Sequence, residues 1–544
     1  MRTSSTSAVP LRSRFLARIR SVHAISILTG AIAFVGIVLM WLPAGAFVWK
    51  VVTGIGPSAL GKLIHEQWSP RLLALWRTNL NFALTIAVLA TLAGFLLHRL
   101  LLRRPLREHS IWLMVYALTL VGSPYILIQG WLNFSGPNTW LQLKVLPAGW
   151  TLYSPAGYIL VQVLLNSGLA FLVIHGRKAL LDRKYADFTA IYRPSFRNRL
   201  RTILRIQYLP SLLVSFSFIF LLAYWHYDSA SILRQNLLSL ELMTAFGSFY
   251  DDGQAAAIAV PACLAVLPVA GVMSAFLSPL ALSMKAPAPI QTLRSCFWAL
   301  AGLTLLPVLT LGVSLGGLLA RFSSPRLAWE SLKLARADFV NTTEIGLLSG
   351  LLLAVCALPI AWFLRVHSRK ARWIMPLLVL ALSIPAVVSG IGFIHLRNLT
   401  GEAYWPEGPA RLVILNVLLW LPICILLALA SLTRLPLRWI EEMRLLRLSC
   451  SVSLFRMVGP FVIPIALQLF MVGFALSIRE VPASLLNYTP EGGTLALTIE
   501  TMLHFEQPDA LSALCLAQFG LVATLWGMGA LGIHFIRKRL RWPN

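Results

Sequence analysis

Stretches of about twenty apolar residues recur along the whole chain, and each is long enough to cross the hydrocarbon core of a bilayer as a helix. They fall near 25–48, 80–101, 112–132, 154–174, 209–225, 256–283, 296–319, 343–364, 374–395, 411–431, 459–478 and 511–536. The expected fold class is an all-α polytopic membrane protein of about twelve transmembrane helices. Composition agrees: 12% of the 544 residues are charged and 58% hydrophobic, whereas soluble domains are near a quarter charged.

The net charge of +26 is explained by topology rather than by nucleic acid. Placing the N-terminus in the cytoplasm assigns every loop to a side. The cytoplasmic segments then hold 33 of the 46 Lys and Arg residues, in Arg2 to Arg20, Arg99 to Arg107, Arg177 to Arg205, Lys285 with Arg294, Arg365 to Arg372, Arg434 to Arg456 and Arg537 to Arg541. Basic residues favour the cytoplasmic side, so both termini are expected there. Residues 1–24 read as a basic cytoplasmic tail. The run that follows is too long for the h-region of a secretory signal and is expected to stay as the first helix. The six cysteines lie far apart, with no CxxC and no Cys/His cluster, and read as free thiols packing like small apolar residues.

The two halves of the chain repeat. One basic loop begins Asp187-Phe-Thr-Ala190-Ile-Tyr-Arg193 and ends at Leu209-Pro210. Another begins Glu441-Glu442-Met-Arg-Leu-Leu-Arg447 and ends at Ile463-Pro464. Acid to Arg is six residues in both, acid to Pro is 23 in both, and the copies are offset by 254 (441 − 187 and 464 − 210). Asp228-Ser-Ala-Ser-Ile-Leu is matched to Glu480-Val-Pro-Ala-Ser-Leu-Leu. Ser123-Pro124 and Ile384-Pro385 fall mid-way in the third helix of each half. Six helices per unit is an even number, so the units 25–285 and 286–544 are expected to share one orientation.

Each repeated loop lies between the fourth and fifth helix of its half. An acid opens a helical segment, where it complements the positive end of the helix dipole. Basic and apolar residues then interleave from Phe196 to Arg205, and the proline sits where a first helical turn tolerates it. A short amphipathic helix on the cytoplasmic face suits a groove on a soluble partner, although one that rests on anionic lipid has the same pattern. Two copies at equivalent positions favour docking.

The acid-x(5)-residue…Leu-Pro loop before the fifth helix resembles the coupling loop of binding-protein-dependent ABC importer permeases. The 6 + 6 plan is similar to the fused permeases of ferric-iron and thiamine importers, and Glu480-Val-Pro-Ala-Ser-Leu-Leu resembles the ferric-iron and phosphonate branch. In this chain the family's Glu-Ala-Ala stands as Asp187-Phe188-Thr189 and Glu441-Glu442-Met443, and its following Gly as Arg193 and Arg447. The resemblance implies a type I importer permease fold in a bacterial inner membrane. It also implies an ABC ATPase homodimer docked on the two loops and a periplasmic substrate-binding protein on the other side. The chain itself would bind no cofactor and catalyse nothing, ATP being held by the partner subunit.

Polar residues within spans are expensive in lipid, so Gln162, Asn166, Asn416, Asp228 and Glu480 are candidates for a translocation path. Inter-helix hydrogen bonding and interfacial exposure are the plainer readings of the same residues. Gly56-Pro-Ser-Ala-Leu-Gly-Lys62-Leu63 almost spells a phosphate-binding loop, but Leu63 stands where Ser or Thr must hold Mg²⁺, and a turn is expected. Gly312-Val-Ser-Leu-Gly316 fits small-residue helix packing. No HExxH or other metal pattern occurs. The alternative class is an ion-coupled secondary transporter, which can also have parallel 6 + 6 halves. Against it, the loop from Leu101 to Glu108 lacks an Asp-Arg signature and the central loop near Lys285 is short.

Overall fold

The computed structural model describes residues 11–135, 139, 150–178, 208–282, 297–321, 324–433, 459–503 and 508–539. Among the described residues all regular structure is helical. The first ten helices are α1 (Leu11–Gly54), α2 (Pro57–Gln67), α3 (Pro70–Leu101), α4 (Leu106–Val121), α5 (Pro124–Ser135), α6 (Pro155–Lys178), α7 (Leu209–Tyr224), α8 (Asp228–Ile232), α9 (Leu238–Gly247) and α10 (Asp252–Leu282). The next helix, α11 (297–320), runs over Phe297–Pro307 and Val313–Ala320 with a π-turn, Val308–Gly312, between them. Then follow α12 (Pro325–Leu334), α13 (Arg336–Val366), α14 (Ser368–Leu382), α15 (Ala386–Thr400), α16 (Pro409–Leu432), α17 (Gly459–Ile478), α18 (Pro482–Asn487), α19 (Leu495–Leu503) and α20 (Pro508–Arg539). The order of long, short and broken helices in α1–α10 recurs in α11–α20.

Proline sets many of these boundaries. Eight of the twenty helices open on Pro, whose missing N–H is no loss in a first turn and whose φ already suits the helix. Proline also pushes the residue before it out of the helical region. At Ser123-Pro124 and Ile384-Pro385 this splits the third helix of each half: α4 meets α5 at 85° and α14 meets α15 at 96°. Pro43, Pro359, Pro376 and Pro422 lie inside helices that continue through them, so proline alone does not determine a right-angle break.

Nine described helices are long and apolar enough to cross a membrane, or up to eleven if each bent pair is one span. The chain therefore has the helical make-up of a multi-pass membrane protein. About twelve were expected, and the run that is not among these candidates is the fifth. Among the described residues it forms α7, an apolar helix of 16 residues that is shorter than the spans counted above. Within the segment expected to be a tail, α1 is already helical from Leu11.

In each half the second helix packs against the fourth and fifth: α3 against α6 and α7, α13 against α16 and α17. The first helices instead cross over. The main contacts of α1 are with α15 and α13 of the other half, and the C-terminal part of α11 packs on α5. Gly130 and Gly392 make both crossings possible. A Cβ on Gly130 would overlap the backbone of Ser314, and one on Gly392 the backbone of Pro43. The two glycines are 262 apart, as are the starts of α5 and α15 (386 − 124). One buried apolar cluster runs through both halves, including Tyr125, Phe220, Leu353 and Ile391.

Two smaller expectations are corrected. Close packing of the seventh run uses Ser314 and Gly317, which abut Gly130, rather than Gly312 and Gly316, whose surroundings are open or ordinary. The π-turn carries one extra residue and rotates the contact face. The segment resembling a phosphate-binding loop is a turn only at Gly56, with φ +80, a conformation that favours glycine; Gly61, Lys62 and Leu63 lie inside α2.

Candidate functional site at the junction of the halves

Of the residues expected to meet an ATPase, Asp187, Ala190, Arg193, Glu441, Glu442 and Arg447 lie outside the described residues. Leu209 and Pro210 open α7 as expected. Ile463 and Pro464 differ, since α17 already begins at Gly459 and Pro464 is inside it. Three intra-membrane candidates are buried in the fourth helices. Asn166 donates through Nδ2 to Gln162 O and Oε1 at 2.8 and 3.1 Å, a bond within α6. Asn416 is buried on α16.

The two remaining candidates, Asp228 and Glu480, lie within electrostatic reach of each other where the fifth helices end. Here α7 is followed by Trp225-His226-Tyr227 and then α8, and α17 by Arg479-Glu480-Val481 and then α18. The starts of α8 and α18 are 254 apart (482 − 228). That register places Glu480 opposite His226, not Asp228, so the sequence match was two residues out. The caps agree. His226 Nδ1 accepts from the backbone N–H of Ser229 at 3.4 Å, and Glu480 Oε1 from that of Ala483 at 3.0 Å. Each side chain thus satisfies an N–H of the helix three residues on.

The preceding position, Trp225 in one half and Arg479 in the other, reaches across the molecule. Trp225 Nε1 donates to the Ser383 carbonyl at 2.9 Å, and an Arg479 guanidinium N–H to the Leu120 carbonyl at 3.1 Å. Both acceptors stand at a break, where the last carbonyls of α14 and α4 have no intrahelical donor. Around Arg479, Gln518 on α20 bonds the Ile478 carbonyl at 2.9 Å and the Tyr125 hydroxyl at 2.8 Å. Ser231 on α8 donates to Glu500 on α19 at 2.8 Å.

Asp228, Glu480 and Glu500 share this region with the guanidinium of Arg479. The first two carboxyls lie beyond the ends of the membrane helices α7 and α17. Burial holds Asp228 well above the ordinary carboxylate range, with Glu480 and Glu500 reinforcing the rise and Arg479 opposing it. Burial likewise pushes Glu480 up to about 7, against its bond to Ala483 and the charge of Arg479. Burial lowers His226 to about 4, with Arg479 adding to the effect. No group of three or more His, Cys, Asp or Glu side chains that could hold a metal ion occurs among the described residues. The arrangement is suited to holding the halves together through polar contacts.

Sequence reasoning missed Trp225, Arg479, Glu500, Tyr125 and Gln518. A signal for the first two was present, because they are separated by the same 254 residues as the loops (479 − 225). Their chemistries differ, so matching by residue type passed over them. No family model matches this chain, and no curated protein or solved structure does.

Proposed function

We propose that this chain is the membrane permease of an ATP-driven importer, passing a small solute along the seam between its two halves into the cytoplasm. The observation that carries the reading is the pair of acid-x(5)-Arg loops at a 254-residue offset, each bounded by the fourth and fifth helices of a repeated series. Two equivalent docking segments suit two identical ATPase subunits. A receptor outside the bacterial inner membrane would deliver the solute, with ferric iron or thiamine as the class that the resemblance implies. The chain would supply the path, and the ATPase subunits the hydrolysis.

The test is reconstitution of the purified chain, alone and with an ABC-type ATPase encoded in a neighbouring reading frame. Alone it should hydrolyse no ATP. With the ATPase it should form a stable complex, and Asp187→Lys with Glu441→Lys should abolish co-purification while the permease still inserts. A charge-assisted contact is worth roughly 1.5–3 kcal/mol, so either single change should weaken association by about tenfold or more. Full association of the double variant would overturn the reading.

One observation favours a second reading. The buried carboxyls of Asp228 and Glu480, both raised, are groups that a proton-coupled transporter would use. Uptake into ATP-free vesicles driven by an imposed proton gradient would select that reading over the first.

A further inference from the structure

We infer that Trp225 and Arg479 are two equivalent latches between the halves, and that Arg479 releases by exchanging the Leu120 carbonyl for the carboxyl oxygen Oδ1 of Asp228. The inference does not depend on what drives transport, only on the halves moving apart.

The two bonds have a common construction. Each donor is the first residue after a fifth helix, the two are 254 apart, and each reaches a carbonyl at the break in the opposite half's third helix. A broken helix leaves its final carbonyls unpaired, so a donor from the other half is held firmly where it lands. Separating the halves at this level requires both bonds to part.

Their chemistry makes the partings unequal. An indole has one N–H and no charge; when it leaves Ser383 it becomes a buried donor with nothing to bond. A guanidinium has five N–H groups and can change acceptor without being left bare. An acceptor stands ready: Asp228 Oδ1 is buried and has no hydrogen-bond donor against it, and Asp228 lies within the electrostatic reach of Arg479. Glu480, also within reach, is already engaged as the cap of α18. Asp228 belongs to the first half, as Leu120 does, so the exchange lets Arg479 slide along that half rather than detach from it.

Accessibility of a buried cysteine tests the inference. Ser229, next to Asp228 on α8, is fully buried. In a background with the six native cysteines replaced, Ser229→Cys would be reacted with a membrane-impermeant maleimide in proteoliposomes. Arg479→Gln should raise the labelling rate by roughly tenfold, the effect of losing one charge-assisted bond, and Trp225→Phe by about fivefold, for a neutral one. Asp228→Asn should move it the other way, below the parent rate, because the amide oxygen left in its place carries no charge and holds the released guanidinium less well. A merely structural role for Asp228 would loosen the junction and raise labelling. Unchanged labelling in Arg479→Gln, or faster labelling in Asp228→Asn, would overturn the inference. If Arg479→Gln does not fold, the sign of the Asp228→Asn effect still decides.

Discussion

The breaks α4–α5 and α14–α15 occur at matching places and are met by matching elements of the opposite half, yet their partners differ in kind. The first-half break is capped by the charged Arg479, and its second segment is tied by Asn133 to Ser512 at a long 3.5 Å. The second-half break is capped by the neutral Trp225, and its second segment is tied by His395 to Asp252 at 2.8 Å. Asn133 and His395 hold the same place, 262 residues apart (395 − 133). Backbone geometry is therefore repeated while polar chemistry is redistributed. A carbonyl at a broken helix end needs a donor whatever its type, so Trp and Arg both serve. The stronger ties lie at the break in one half and at the far segment in the other.

The largest expected effect is the one that treats the halves alike. Leucine at Gly130 or at Gly392 would be driven into the backbone of a crossing helix, α11 or α1. Neither backbone can withdraw without opening the other half's core. Overpacking of this kind costs about 1–3 kcal/mol and sometimes more. Both variants should lose most of their monodisperse protein in detergent gel filtration, to a similar degree. A well-behaved Gly392→Leu beside a collapsed Gly130→Leu would break the equivalence of the two crossings.

Next come the ties that differ. Asp252→Ala should cost roughly 1–2 kcal/mol, since His395 is buried and loses its 2.8 Å partner. Asn133→Ala removes only a 3.5 Å contact and should stay within about 0.5 kcal/mol. Thermal unfolding in one detergent, with the two variants side by side, measures the contrast. Equal losses would mean that the distance difference does not reflect strength.

How much of this was legible beforehand follows from the range of each cause. Apolar runs, proline-set helix starts and the basic loops act within a few residues, and the sequence carries them directly. Pro124 and Pro385 could be seen to interrupt a helix, but Pro359 and Pro422 looked the same and do not. What distinguishes the first pair is a donor from the other half at each break, a contact more than 150 residues away in sequence. The crossing of α1 and α11 is hidden for the same reason. At the junction, Asp228 and Glu480 were singled out from the sequence as path candidates and not as neighbours. Pairing them by acidity put the register two residues out, since the true counterparts, His226 with Glu480 and Trp225 with Arg479, share geometry and not type.

A pH effect separates the halves further. Glu480 has an ordinary carboxyl value of 4.5 when unfolded and is pushed up to about 7 in the folded chain. The folded state therefore holds its proton longer than the unfolded state does. The resulting cost is absent below 4.5, grows as pH rises through that value and is complete above about 7. Parent protein should be more stable at pH 6 than at pH 8, and Glu480→Gln should reduce that slope, leaving the part due to Asp228, which burial also raises. His226, the equivalent residue, is pushed down from 6.5 to about 4, so it penalises the fold as pH falls through 6.5, opposite in sign to Glu480, and His226→Gln should steepen the loss of stability between pH 6 and pH 8. An undiminished slope in Glu480→Gln would place its origin elsewhere.

A further contrast between the halves lies at the opposite end of the helices. His98 on α3 and His175 on α6 face each other at 3.2 Å between Nδ1 atoms, both buried, so one ring must donate and the other accept. Counted from their helix starts, the same places in the second half are Leu364 (98 + 266) and Leu429 (175 + 254), both buried apolar residues. One half thus has a polar pair where the other has an apolar one. Removing one member takes one polar contact from the other, whereas replacing both by apolar groups can be nearly neutral. His98→Leu and His175→Leu should each lower stability by about 1 kcal/mol. The double variant should recover most of the loss, giving a coupling energy near 1 kcal/mol in a double-mutant cycle. Additive losses would show that the first half depends on these histidines through other contacts, and that the second half's leucines are not interchangeable with them.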